Sequence, residues 1–352
     1  MARIIDLDKF TFNGDTLREV SELVFDAVIK GPDLNMLHTV YPNVVTQREV
    51  GFVSRGGLVG KANQGCNPTP QDWAIDTRKV KFNPVAWEIL IAACWTDLQA
   101  TAAVYSLNTG ISIPDFTNTD YMAIVQEVLT TSMNQFMYRF IWFSDVAAAN
   151  QKSGGDITDG IDVDYFNLLD GLFKKMETVV TGSPTQLVVI TENQAATYDT
   201  QRVEGDDAFV YLKQLYRRAP IALRNMASKM YMSTQFFYDA YVEYLQDAKA
   251  LETTYKNLVN GMEVVSYNGI PVVPLPIWDD IIFNYLNTGT KAIDPNRVVL
   301  TAPEVLAVGV DDPSAFDDMQ SWHDRKTRQV MVEAMGQADV QLADDRLFVI
   351  GI

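Results

Sequence analysis

Three segments decide the reading of this chain: Lys229-Met-Tyr-Met-Ser-Thr-Gln-Phe-Phe-Tyr-Asp-Ala-Tyr241, Gly261-Met-Glu-Val-Val-Ser-Tyr-Asn-Gly-Ile-Pro-Val-Val-Pro274 and Asn296-Arg-Val-Val-Leu-Thr-Ala-Pro-Glu-Val-Leu306. In the first, a strand over 229–232 runs into a helix over 234–248, with Ser233 as its cap. The second is a strand, the turn pair Asn268-Gly269 and a strand, the strongest short hairpin signal a sequence carries. A helix over 277–286 follows. The third segment is a strand over 297–301 and a short helix from Pro303. Upstream, the pattern predicts a helix over 163–178, a strand over 186–191 and a helix over 206–218 ended by Pro220. The unit is mixed α+β.

On the C-terminal side, 321–334 and 339–352 read as two long strands around Gly336. On the N-terminal side, Gln151 to Asp164 is a polar break rich in Gly and Asp, placed as a domain boundary. Before it, Tyr121, Val125, Val128, Leu129, Met133, Phe136, Phe140, Phe143 and Ala147 keep a period near 3.6. That predicts one spine helix from a cap at Asn118-Thr119 to about Asn150, roughly 45 Å long at the usual rise. Further upstream, Val44, Val45, Val50, Phe52 and Val53 suggest one strand and Ala74 to Trp87 another. Between them, Arg55 to Pro70 is rich in Gly, Pro and Asn and cannot build its own core. A long hairpin projecting from the body, leaning on a neighbouring molecule, accounts for it better than a structureless loop. The chain opens with an amphipathic helix carrying Leu17, Val20, Leu23, Val24, Ala27 and Val28, stopped at Lys30-Gly31-Pro32. Its apolar stripe needs a cover.

Composition narrows the function. The 352 residues carry 28 Lys plus Arg against 45 Asp plus Glu, a net charge of −17, which argues against a protein that grips nucleic acid through a broad basic face. Two cysteines, Cys66 and Cys94, cannot form a disulfide framework, and the chain reads as made in a reducing compartment. The first residues lack the apolar core of a signal peptide. The most apolar long segment, Tyr121 to Ala149, is interrupted by Gln126, Glu127, Asn134, Gln135 and Arg139, so no membrane partner is expected.

Chemical motifs are scarce. Arg55-Gly-Gly-Leu-Val-Gly-Lys-Ala62 approaches a phosphate-binding loop, but Arg55 stands where a Gly is needed and Ala62 where a hydroxyl must reach Mg²⁺; a hairpin tip is the better reading. Asp156, Asp159, Asp162 and Asp164 gather carboxylates without calcium-loop spacing; a solvated junction loop is favoured over a weak cation site. His38 reads as packing and His323 as one polar residue of a strand. Cys66 and Cys94 read as structural thiols, and neither a nucleophile elbow nor a dinucleotide fingerprint occurs. No cofactor, metal or catalytic residue is assigned, and a self-assembling structural protein explains more of the chain than an enzyme does.

The order of parts, together with the three opening segments, resembles the major capsid protein of tailed bacteriophages, the Hong Kong 97 type. The segment over 229–310 carries the resemblance most specifically. It implies an N-terminal arm at 1–43, an extended loop at 44–88, a peripheral domain at 89–160 with 310–352, and an axial domain at 161–309. It further implies a homo-oligomer of pentamers and hexamers tiling an icosahedral shell around double-stranded DNA, located in the virion and assembled in the host cytoplasm. The DNA would be enclosed without sequence-specific binding, which gives the acidic balance a role. Separate scaffolding, portal and decoration proteins are the implied partners. A scaffolding extension is not expected ahead of the arm. Candidate inter-subunit contacts are Arg55, Lys61 and Trp73 on the loop and Leu17 and Val24 on the arm. Some family members join a loop lysine to a neighbour's asparagine; for Lys61 non-covalent contact is preferred, because nothing identifies a partner Asn or a catalytic Glu. Two readings stay beside this one, an encapsulin-like shell around protein cargo and a soluble enzyme with a scattered active site.

Overall fold

A computed structural model describes residues 34–44, 48–56, 75–94, 132–249, 257–259, 262–311, 320–324 and 329–352. The arm helix over 17–28 and the loop tip over 57–74 lie outside them. A six-stranded sheet orders its strands Leu187–Val188, Val349–Gly351, Val298–Thr301, Met230–Ser233, Ile270–Pro274, Ser266–Tyr267. Val298–Thr301 is antiparallel to both neighbours, whereas Met230–Ser233 and Ile270–Pro274 run parallel. Because strand side chains alternate, each strand serves two cores. Tyr231, Val272, Val298, Leu300 and Val349 face the helices Gly205–Arg218 and Gln235–Lys249. Met230, Met232, Val273, Val299 and Ile350 face the opposite way, into a larger aromatic core. The hairpin reading holds: Asn268 (φ 52°) and Gly269 (φ 77°) make a turn with positive φ at both central positions.

The aromatic core is built from three separate elements. Trp142 lies 5.0 Å from Phe173 and 4.6 Å from Trp278, and Phe173 lies 4.9 Å from Trp278 between ring centroids. Trp142 belongs to the spine helix, which is α-helical over 132–138 and widens to a π-turn at Arg139–Phe143. Four consecutive side chains, Phe140 to Phe143, are buried there, which a 3.6-residue turn with one buried stripe does not achieve. The helix then stops at Ser144, in extended conformation, six residues short of the expected Asn150; its start lies outside the described residues. Phe166 accepts the Asp145 N–H, and the Gly171 N–H reaches Ser144 O at 2.7 Å. A Cβ at Gly171 would stand 3.0 Å from backbone atoms of Ile141, Trp142 and Ser144, so this crossing needs a glycine.

The second sheet is organised by one long strand, Gln329–Leu342. One of its edges pairs with Gln320–Asp324 and then with Leu306–Val310, and the other pairs with Val85–Cys94 over ten register positions. Thr39–Tyr41 extends the sheet beside Leu306–Val310. The expected turn at Gly336 is therefore corrected: unbroken pairing with Val85–Cys94 along one edge carries the strand through a single glycine, and Gly336 sits opposite Trp87. The chain turns later, where the Asp344 carboxylate collects the Arg346 backbone N–H and guanidinium, ahead of the short strand Val349–Gly351.

Other boundaries shift for equally local reasons. The single strand expected over 74–87 breaks at Asn83-Pro84 into Ile75–Phe82 and Val85–Cys94, with the Asn83 N–H donated to buried Asp339 at 2.7 Å. The helix expected over 163–178 becomes a 3₁₀ turn, Val163–Tyr165, and an α-helix, Leu172–Gly182, separated by non-helical Phe166. The strand over 186–191 shrinks to Leu187–Val188, with a 3₁₀ turn at Thr191–Gln194. Three loops are tied by buried amides. Gln201 donates to the carbonyls of Asn193 and Ala292 and accepts the Ala292 N–H, while Asn193 and Asn296 exchange hydrogen bonds. Gln201→Ala is expected to lower stability by about 2–4 kcal/mol, read from the denaturant midpoint, because it strands buried donors and acceptors on both loops.

Candidate functional site

The features that a self-associating chain would use are a hairpin and an outer sheet face. The hairpin strands Arg48–Gly56 and Ile75–Phe82 pair antiparallel, with a register shift between Val53 and Gly56. Its base is anchored: buried Phe82 packs with Val44, Val80 and Ala307 and against the Tyr41 ring at 5.7 Å. A Cβ at Gly309 would stand 2.9 Å from the Phe82 ring, so that strand offers the ring a glycine to lie on. Among the described residues the hairpin carries one ion pair, Lys79 to Glu49 at 3.1 Å, exposed and worth little to stability. Arg55 stands on the shifted stretch next to the tip. Lys61, Trp73, Leu17 and Val24 lie outside the described residues, so the structure neither gathers nor separates these candidates.

At the foot of the hairpin, Val85–Cys94 and Gln329–Leu342 form a two-faced ribbon. Trp87, Ile89 and Ala334 face inward, with Trp87 5.4 Å from Phe136 of the spine helix. Glu88, Leu90, Glu333 and Met335 share the other face, Leu90 opposite Glu333 and Glu88 opposite Met335. Leu90 is 58% exposed and Met335 60%. The period-2 pattern could have flagged this face, but a strand carrying apolar residues on both sides reads as fully buried.

The structure places several of the residues singled out for chemistry. His38 is buried, 5.6 Å from the Trp142 ring. His323 and Cys94 lie on paired strands, and Cys66 lies outside the described residues. The carboxylates of 156–164 are engaged locally: Asp159 accepts the Lys152 N–H, Asp162 that of Asp164, and Asp164 the side chain of Asn167. Among the described residues no cluster of three or more His, Cys, Asp or Glu could hold a metal, and no helix is long and apolar enough to cross a membrane. A cavity of about 260 Å³ beside the spine helix is lined by Glu177, Arg297, Lys174 and Asp156 among others. Burial pushes the Glu177 carboxyl up, and Arg297 opposes the shift.

Sequence reasoning missed two electrostatic features. Arg139 lies among Phe136, Tyr165 and Phe166, 5.5–5.8 Å from the ring centroids, and burial lowers its pKa. The helix Gln235–Lys249 is capped not by Ser233, whose buried hydroxyl has no partner, but from a distant element: Asp279 accepts the N–H groups of Gln235 (2.6 Å) and Phe236 (3.0 Å). Burial also pushes up the carboxyl of Asp280; neither Asp279 nor Asp280 lines the cavity that holds Glu177, so the three raised carboxyls do not converge there.

Whole-chain comparison then supplies the fold's relatives. A chain of the satellite phage P4 procapsid, solved with its size determination (Sid) protein, is 11% identical; the match covers 97% of this chain and 92% of that one at a TM-score of 0.53. The fold is a phage capsid fold. A chain from Gordonia phage Cozz matches at 12% identity and TM-score 0.57, covering 94% of this chain and 89% of its own. One from Mycobacterium phage Bobi matches at 9% and 0.53, covering 94% and 93%. No protein-family model and no curated protein matches the sequence.

Burial pushes the Asp279 carboxyl up to about 7, against the pull of its two backbone donors. Folded protein therefore holds a proton that the unfolded chain, with an ordinary carboxyl near 4, has released. The Asp279 contribution is fully present below about pH 4 and is lost as pH rises to about 7. Thermal unfolding across that range is expected to show this slope in the native protein and to lose it in Asp279→Asn.

Proposed function

We propose that this chain is a major capsid protein that assembles through rings of five and six into an icosahedral shell enclosing phage double-stranded DNA. The observation that carries the reading is the likeness along nearly the whole length of both chains to a procapsid subunit. The proposed division is an arm at 1–43, an extended loop at 44–88, a peripheral domain at 89–160 with 310–352, and an axial domain at 161–309. The physical support is that two features remain to be covered. Among the described residues the hairpin has a core at its base, and the ribbon beneath it exposes Leu90 and Met335. Contacts between copies cover surfaces of this kind.

The chain's net charge of −17 fits a wall that encloses DNA without adhering to it. Arg55, Lys61 and Trp73 on the loop and Leu17 and Val24 on the arm are proposed as contacts to neighbouring copies, non-covalent at Lys61. A separate scaffolding protein, a portal and decoration proteins complete the proposed partners, with assembly in the host cytoplasm and the virion as destination.

Negative-stain microscopy of the purified chain at high concentration is expected to show rings, tubes or shells, and a persistent monomer overturns the reading. Replacing Leu90 and Met335 together by Ser is expected to change monomer stability by no more than about 0.5 kcal/mol per site, as for other exposed positions. The same variant is expected to raise the concentration at which assemblies appear in sedimentation.

A further inference from the structure

We propose that neighbouring copies meet head to tail through the two ends of the helix Gly205–Arg218, a basic patch at its C-terminal end seating against an acidic groove at the N-terminal end of the next copy. This rests on the ring-forming reading above and adds the surfaces that would make the rings. From Ala208 to Tyr238 the chain carries Lys213, Arg217, Arg218, Arg224 and Lys229 and no acidic residue, in a protein where acids outnumber bases 45 to 28. None of the five forms an ion pair among the described residues.

Three of these cations are held by backbone carbonyls instead. Arg218 donates to the carbonyls of Pro184 and Leu187, Arg224 to that of Arg217, and Lys229 to that of Met226. Arg224 also stacks over Tyr216 at 4.9 Å. A carbonyl orients a cation without neutralising it; the structure also brings the Glu304 carboxylate to the Ser228 hydroxyl beside Lys229, at 2.6–2.7 Å, without an ion pair to any of the five, so the tract stays positioned and predominantly basic. Beside it in sequence Ile221 is 74% exposed, the most exposed of the large apolar side chains among the described residues.

The other end of the same helix has the complementary character. A groove of about 640 Å³ is lined by Asp199, Glu204, Asp206 and Glu243, with Arg202 its one cation, and Arg202 is drawn to Glu243 at 3.4 Å. Three carboxylates there face no cation within the groove. The helix macrodipole accounts for acids in the first turn and bases in the last. It does not account for Arg224, Lys229, Asp199 or Glu243, which lie outside the helix.

Fourteen residues span about 20 Å, so the two patches of one molecule cannot meet each other. Two different surfaces that complement each other make a heterologous contact, which closes into a ring when the rotation between copies allows. Nucleic acid could neutralise the basic patch, but it would leave both Ile221 and the acidic groove unused. A second copy uses all three.

The test is a charge swap in the full chain, scored by shell yield in sedimentation and microscopy, with circular dichroism and the unfolding midpoint as folding controls. The exposed pair Lys213→Glu with Arg217→Glu, or the pair Glu204→Lys with Asp206→Lys, is expected to cut yield about tenfold or more while the monomer stays folded. Combining all four in one chain is expected to restore it to within about threefold, a coupling that only contacting sites show. Wild-type yield from either reversal alone, or failure of the combination to rescue, overturns the contact and leaves the ring-forming reading standing. Normal shells that lose DNA on reversal of the basic patch assign the patch to nucleic acid and also overturn it. A wild-type chain that never assembles overturns both.

Discussion

The packing of Trp142, Phe173 and Trp278 is the contact on which the remaining structure depends. These rings come from the spine helix, from Leu172–Gly182 and from Pro276–Tyr285, and their centroids lie 4.6–5.0 Å apart. Aromatic burial of this size is the largest single contribution a core residue makes. Its cost is local regularity. The spine helix opens into a π-turn so that Phe140 to Phe143 are all buried, and the chain crosses at Gly171 where no side chain fits. Arg297 lies over Phe173 at 4.6 Å, so the rim of the cluster is closed by a cation rather than by another hydrocarbon.

From that cluster the two sheets diverge, and they carry different duties. The six-stranded sheet is buried on both faces and presents its helices outward; its surface is where charge is segregated, basic toward one end of Gly205–Arg218 and acidic toward the other. The second sheet is organised by Gln329–Leu342, whose length lets it hold Val85–Cys94 and, through Asp339, the start of that strand at Asn83. The hairpin thus leaves a rigid foot. A projecting element can reach a neighbour at a defined angle only if its root does not bend, and the separate cluster of Phe82, Val44, Val80 and Ala307 supplies that root.

Much of this was legible locally. The strand-to-helix step at 229–248, the Asn268-Gly269 hairpin, the helix ended by Pro220 and the strand at 298–301 follow from periodicity, turn chemistry and proline stops, all set by neighbours in sequence. The misplaced boundaries share one cause. Gly336 looks like a turn residue, yet unbroken pairing with Val85–Cys94 carries the strand through it. Ser233 looks like a helix cap, yet Asp279, 43 and 44 residues beyond Phe236 and Gln235, takes their two N–H groups. The spine helix keeps its period past Phe143, yet Asp145 donates its N–H to Phe166 instead of continuing the helix.

The sequence by itself determined the mixed α+β class, most elements of the α+β unit, the paired strands on either side of 57–74 and the acidic balance, because these depend on composition and on spacings of a few residues. Tertiary structure alone decided where the spine helix ends, which strand runs unbroken, what caps Gln235–Lys249, and that Leu90 and Met335 share an exposed face. It also decided that a basic tract and an acidic groove stand at opposite ends of one helix. Each of these depends on groups far apart in the chain brought within a few ångströms, and the free energy of such meetings leaves no local mark on the residues that make them.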